Sequence, residues 1–203
     1  MNARQRTAIG ASFALVVALA FTGCTIVADR GGDRGGMDHG GMDQADGSAE
    51  FGQADVMFAQ MMIPHHEQAI EMSDLILAKD GVDPDVVDLA EEIKAAQGPE
   101  IEQMESWLDE WGVPSMMDAD GMGGMGGMGG MLSEAEIDEL EAADGATGTT
   151  LFLDGMIEHH EGAIDMAEQH QENGENDEAL ELSASIIQTQ TAEIERMKQL
   201  LAR

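Results

Sequence analysis

The sequence predicts an all-α protein: a four-helix bundle built from two repeated helical hairpins joined by a long Met/Gly-rich crossover that contains one short helix. Three observations predict it. From Ala54 onward, capping residues, glycines and prolines punctuate the chain at helical lengths, with little β-branched alternation and no tyrosine. Phe58, Met62, Ile63, His65, His66, Glu67, Ala69, Ile70 and Met72 return 94 positions later as Phe152, Met156, Ile157, His159, His160, Glu161, Ala163, Ile164 and Met166. At an offset of 93, Ile93, Gln97, Glu100, Ile101, Met104 and Leu108 return as Ile186, Gln190, Glu193, Ile194, Met197 and Leu201. The repeated unit is therefore a hairpin, and two hairpins with apolar faces bury each other. A chain of this size holds one such core.

The elements follow in order. Arg4 and Arg6 precede an unbroken small and apolar run from Ala8 to Phe21, too short for a stable membrane span, which reads as an export signal over residues 1–23. Next comes "FTGC", and Cys24 is the only cysteine. The small residues Thr22 and Gly23 before it resemble the lipobox at which bacterial lipoproteins are cleaved and acylated, although Phe21 stands where Leu is usual. The resemblance implies an exported protein, anchored by lipid at Cys24 to the outer face of the cell membrane. Residues 24–53 form the expected tether: Thr25 to Glu50 has too few large apolar side chains to fold and would hold the domain roughly 25 to 30 Å from the acylated residue.

The first hairpin is expected over residues 54–112. Its first helix runs from Ala54 to Lys79 and stops at Gly81; Asp83 caps the second, Pro84 takes its first position, and Gly112 with Pro114 ends it. Within the insert, residues 115–148, Ser133 and Glu136 form a capping box for a short helix that closes at Gly145. The second hairpin, residues 149–203, has a helix from Thr150 to Gln171 ended by Gly174 and another from the Asn176 cap to the C-terminus. Pro64 either kinks the first helix or marks its start.

There are 41 acidic residues and 9 basic ones, for a formal net charge of −32. Such a field excludes nucleic acid as a partner and favours cations, while also serving solubility. Four of the six histidines form two adjacent pairs. At about 100° per residue, Phe58, His65, His66, Ala69 and Ser73 lie within roughly 60° of Met62, so both histidines share the apolar face. Glu67 falls near 140°, and it and Glu161 belong to the outer side as cation-attracting or supporting groups. Gln97 and Gln190 lie about as far after their hairpin loops as the histidines lie before them. One polar layer of four histidines and two glutamines across the bundle follows, costly unless every member is hydrogen-bonded or metal-bound.

Neutral imidazole suits copper, zinc, nickel and iron, and thioether sulfur selects copper(I). The candidate ligands are His65, His66, His159 and His160, with Met62, Met72, Met156 and Met166 flanking them and Gln97, Gln190, Glu67 and Glu161 in support. The plainer readings are a His and Gln network that fixes helix register, and methionine as ordinary core filler. In the insert, Met116, Met117, Met122, Met125, Met128 and Met131 include methionines at every third position, a spacing that suits accessory capture of a soft cation. Low-complexity drift is the plainer account there.

The paired "HHE" followed by "AI" and Met, the downstream Gln, "EI" and Met pattern, and an insert closed by "LSEAEIDELEAADG" are similar to the bacterial family labelled domain of unknown function 305, over Ala54 to Arg203. The resemblance implies a ferritin-like four-helix fold, export or lipid anchoring, and, for some members, copper binding and copper resistance. The family motif falls on His65, His66, Glu67, His159, His160 and Glu161. Glu158 departs from the first repeat's Pro64, and "GTTLFLDGMIEHH" lacks the acidic residue common before the Phe. The expected function is binding of copper, as Cu(I), Cu(II) or both, for sequestration, resistance or trafficking, with zinc or iron as other metals and no enzymatic turnover. A metal-exchange partner is implied without being identified, and a homodimer of bundles is compatible with the pattern. One alternative is a structural or partner-binding lipoprotein without metal. The other, a dinuclear iron oxidase, wants Glu on each of four helices and Glu three residues before His, where this chain has Met62, Ile63, Met156 and Ile157 and only Glu100 and Glu193 as inward carboxylates.

Overall fold

Asp83 starts a helix because its carboxylate accepts the Asp85 N–H at 2.8 Å while Pro84, with no N–H to leave unpaired, takes the first helical position. Ser133 and Glu136 cap each other reciprocally, and Asn176 accepts the Ala179 N–H at 2.9 Å. The computed structural model describes residues 50–115 and 129–203. Cys24, the export signal, most of the tether, and Met116, Met117, Met122, Met125 and Met128 lie outside the described residues. Among the described residues there are five helices and no strand: α1 (Gln53–Leu77), α2 (Pro84–Trp111), α3 (Glu134–Ala142), α4 (Gly145–Asn173) and α5 (Asp177–Leu201).

Two boundaries differ from expectation. Gly145 opens α4 instead of closing α3: the Asp144 side chain accepts the Thr147 N–H at 2.8 Å, so the helix begins five residues before the expected start at Thr150. Glycine is needed there for contact, since a Cβ would lie 2.2 Å from the Asp80 carbonyl oxygen in the first hairpin's loop. Residues 50–53, expected in the tether, belong to the folded domain. Phe51 stacks on Trp111 with ring centroids 4.8 Å apart, and Asn176 donates to the Glu50 carbonyl at 3.3 Å. Helix α1 continues through Pro64 from Gln53, so Pro64 does not mark its start.

Helices α1 and α2 form one hairpin and α4 and α5 the other, with α1 and α4 meeting along the central seam. That seam is antiparallel: Phe58 stacks on His170 near one end, and Met72 approaches Gly155 toward the other. The core divides into two apolar clusters. One holds Met72, Ile76, Leu89, Ile93, Phe152, Met156 and Met197, and the other holds Phe58, Met62, Met104, Trp107, Leu108 and Ile186. Both draw on all four long helices, and the paired histidines lie between them in sequence along α1 and α4.

A buried polar knot ties the start of α1 to the α4–α5 turn. Asp55 accepts the Gly52 N–H at 2.6 Å, the Glu175 N–H at 3.1 Å, the Asn176 N–H at 3.2 Å and His170 Nε2–H at 2.8 Å. Burial pushes the Asp55 carboxyl up, but these hydrogen bonds outweigh it and hold the group below its ordinary range. His170 Nδ1 lies 2.9 Å from Ser183 Oγ, so both ring nitrogens are engaged.

Candidate metal centre

His65 and His66 on α1 and His159 and His160 on α4 are fully buried and meet across the seam, where the His65 and His159 ring centroids are 3.8 Å apart. Gln97 on α2 and Gln190 on α5 are buried as well, at 2% and 3% exposure. The six residues of the proposed polar layer are thus all interior. Burial, reinforced by the neighbouring His66, pushes the His65 imidazole down to about 3. Burial together with His65, His160 and His66 also holds His159 well below its ordinary value. These two rings are neutral at physiological pH and carry lone pairs.

Hydrogen bonding decides which nitrogen carries the lone pair. His66 Nε2 is 2.8 Å from Glu100 Oε2, and His160 Nε2 is 2.7 Å from Glu193 Oε2. His65 Nε2 is 3.2 Å from the Gly129 carbonyl oxygen. A carboxylate or carbonyl oxygen only accepts, so each of these three nitrogens is the N–H, and in the neutral ring Nδ1 carries the lone pair. Nδ1 of His65, His66 and His160 is buried without a hydrogen-bond partner among the described residues. The same holds for both nitrogens of His159, both amide atoms of Gln97 and Oε1 of Gln190. Buried polar atoms are ordinarily paired, and all the unpaired side-chain atoms found here belong to this one layer. A self-satisfied His and Gln network would have closed these bonds.

The carboxylates on the histidines are Glu100 and Glu193, not Glu67 and Glu161. Glu161 is exposed and lies 3.8 Å from Lys198. Glu67 is half-buried beside Glu105, and burial followed by that like charge raises its carboxyl. The sequence did carry a signal for the true pair, because Glu100 and Glu193 repeat at the offset of the second helices. Acceptors of this kind fix a ring's tautomer and raise the basicity of its other nitrogen.

The two motifs differ at one informative position, "HHEQ" against "HHEG". Gln68 grips the end of the insert: its amide oxygen accepts the Leu132 N–H at 2.8 Å and its amide nitrogen donates to the Leu132 carbonyl at 2.9 Å. At the corresponding Gly162, a Cβ would lie 1.9 Å from the Gly129 carbonyl oxygen and 2.9 Å from Gly130 Cα. One repeat supplies a side chain that holds the insert, and the other supplies the space in which it lies. The result places Gly129 on His65 and gives the two halves unequal surroundings.

Met62 and Met156 are fully buried, one in each apolar cluster. Each precedes a layer histidine by three residues, about 4.5 Å along the helix axis. Met72 and Met166 follow His66 and His160 by six residues, about 9 Å, and pack in or against the clusters away from the layer. Met131, half-buried, is the insert methionine among the described residues and sits beside the gripped Leu132. Among the described residues no group of three or more His, Cys, Asp or Glu side chains converges as a ready cage for one ion.

Residues 55–201 match the family described as Domain of unknown function (DUF305). The chain belongs to that family. Among DUF305 structures, a protein of Streptomyces coelicolor described as secreted is 35% identical, with a TM-score of 0.67 over 73% of this chain and 92% of that one. A DUF305 fragment from Deinococcus radiodurans is 31% identical, with a TM-score of 0.65 over 75% of this chain and 98% of the fragment. CopM in its Cu(I)-bound form is 32% identical, with a TM-score of 0.59 over 72% of this chain and 94% of CopM. CopM has also been solved with Cu(II) and with silver. No curated protein matches the sequence.

Proposed function

We propose that this DUF305 protein is exported, held at the outer face of the cell membrane by an acylated Cys24, and binds copper there for sequestration, resistance or trafficking, without catalysing a reaction. One observation carries the reading: four buried imidazoles in which Nδ1 of His65, His66 and His160, each with an oxygen acceptor on Nε2, and both nitrogens of His159 have no protein partner among the described residues. The solved copper and silver forms of CopM support the choice of metal. Because no three-ligand cage of His, Cys, Asp or Glu is present among the described residues, an ion would draw on imidazoles together with thioether sulfur or glutamine amide. That mixed, soft set suits Cu(I), and the imidazoles also accept Cu(II).

The dinuclear iron reading has Glu100 and Glu193, which are engaged by His66 and His160, and Asp55, the fully buried carboxylate among the described residues, is taken up by His170 and backbone N–H groups. The test is titration of the mature domain with Cu(I), Cu(II) and Fe(II), followed by Ala replacement of His65, His66, His159 and His160. Copper binding that survives the four replacements undiminished removes the layer as a site. Oxygen uptake on anaerobic iron loading and re-exposure to air would favour the oxidase.

A further inference from the structure

The cleft beside the Asp55–His170 knot is not used by the histidine layer. It has a volume of about 240 Å³ and is lined by Met57, Met61, Met166 and the ring of His170, with Gln169 and Asn173 also contributing. We infer that Met57, Met61 and Met166 form a second, solvent-reached site for a soft monovalent cation, an entry site for the buried layer; the inference rests on the copper reading above.

Helix geometry brings the three sulfur-bearing side chains together. Met57 and Met61 are four residues apart on α1 and share a face. The antiparallel register that stacks Phe58 on His170 sets Met61 opposite Met166 on α4. His170 cannot join as a ligand, because Ser183 and Asp55 occupy both its nitrogens; it is a fixed wall. The donors left are neutral, three thioethers with the side-chain amides of Gln169 and Asn173 beside them, and a neutral set led by soft sulfur favours Cu(I) or Ag(I) over a divalent ion, whose charge it leaves uncompensated.

The duplicated fold supplies an internal control. The positions equivalent to Met57, Met61 and Met166 in the other half are Leu151, Gly155 and Met72. There Leu132 fills the space, lying 2.9 Å from a Cβ placed on Gly155, and the adjacent cleft is lined by Glu136, Glu139, Asp154 and Glu158 with no sulfur. The open, three-methionine cleft is therefore not an automatic product of the repeat. Met57 is 50% exposed, more than packing needs, on a chain whose charge of −32 draws cations to its surface. Met61 precedes His65 by four residues, about 6 Å along α1, whereas the histidines themselves are sealed from water.

The probe is Ag(I), redox-silent, added to the full domain with its insert, following methionine ε-methyl resonances and imidazole nitrogen resonances together. The Met57, Met61 and Met166 methyls are expected to shift in concert with a single midpoint. In the triple variant Met57→Leu, Met61→Leu, Met166→Leu, a volume-conserving change, the histidine resonances should reach the same end point at least tenfold more slowly. Methyls that stay put, or that move with separate midpoints, overturn the inference, as does unchanged loading of the histidines in the variant. Histidine shifts with silent methyls defeat the cleft and leave the layer standing. Concerted methyl shifts with silent histidines defeat the layer and overturn the entry role, leaving the cleft as a soft-cation site alone.

Discussion

Glu100 and Glu193 do for His66 and His160 what a backbone carbonyl does for His65: they accept a hydrogen bond from Nε2–H, and Nδ1 is left without a partner among the described residues. Their side chains are 17% and 14% exposed, so the bonds lie largely out of water and carry weight. Glu100→Ala should weaken copper binding about 10- to 100-fold while costing roughly 1 to 3 kcal/mol of stability for the orphaned N–H. Competition titration and urea unfolding read the two effects separately. A second expectation concerns pH. His65 and His159 are depressed by burial and neighbouring imidazoles, so below about 6.5 the unfolded chain takes up protons that the folded chain refuses. Stability of the metal-free protein is lost as pH falls from about 6.5 toward about 3, the value for His65, and is level above that range. Acid also relieves the self-repulsion of the carboxylates, so the measurement is the difference in Tm between the wild type and His65→Gln/His159→Gln. If that difference does not vary with pH, the buried rings are not neutral.

At the scale of elements, the long helices were legible because their ends are written in local chemistry: Asp83 with Pro84, Ser133 with Glu136, and Asn176 each cap where the sequence places them. Gly145 was misread because glycine both ends helices and permits close approach, and only the neighbouring Asp80 loop decides between them. Asp55 gave no signal, because its role depends on N–H groups about 120 residues away. The docked end of the insert was equally invisible, although the Gln68 and Gly162 difference between the repeats marks it in hindsight. Gly162→Ala is expected to displace Gly129 from His65 and cost about 1 to 3 kcal/mol by overpacking. Gly98→Ala, in α2 directly before Pro99, should stabilise by less than the helix-propensity gain of about 0.5 to 1 kcal/mol, because its Cβ meets the proline ring. Denaturant midpoints of the two variants, side by side, separate close approach from helix propensity.

For the whole molecule, binding to the folded state alone must appear as stability. Copper(I) at a hundredfold excess over its Kd should add about 2.7 kcal/mol, a rise of roughly 5 to 10 °C in Tm for a domain of this size. A melting point indifferent to copper would favour the metal-free lipoprotein. The sequence by itself determined the helices, the duplication and the apolar helix face on which the paired histidines lie, because periodicity, caps and a repeat of 94 are properties of the chain read in one dimension. Only the tertiary structure decided which nitrogen of each histidine is free, which glutamates hold them, and which methionines share a cleft. Those facts depend on contacts between helices, and the register of one helix against another is fixed by packing.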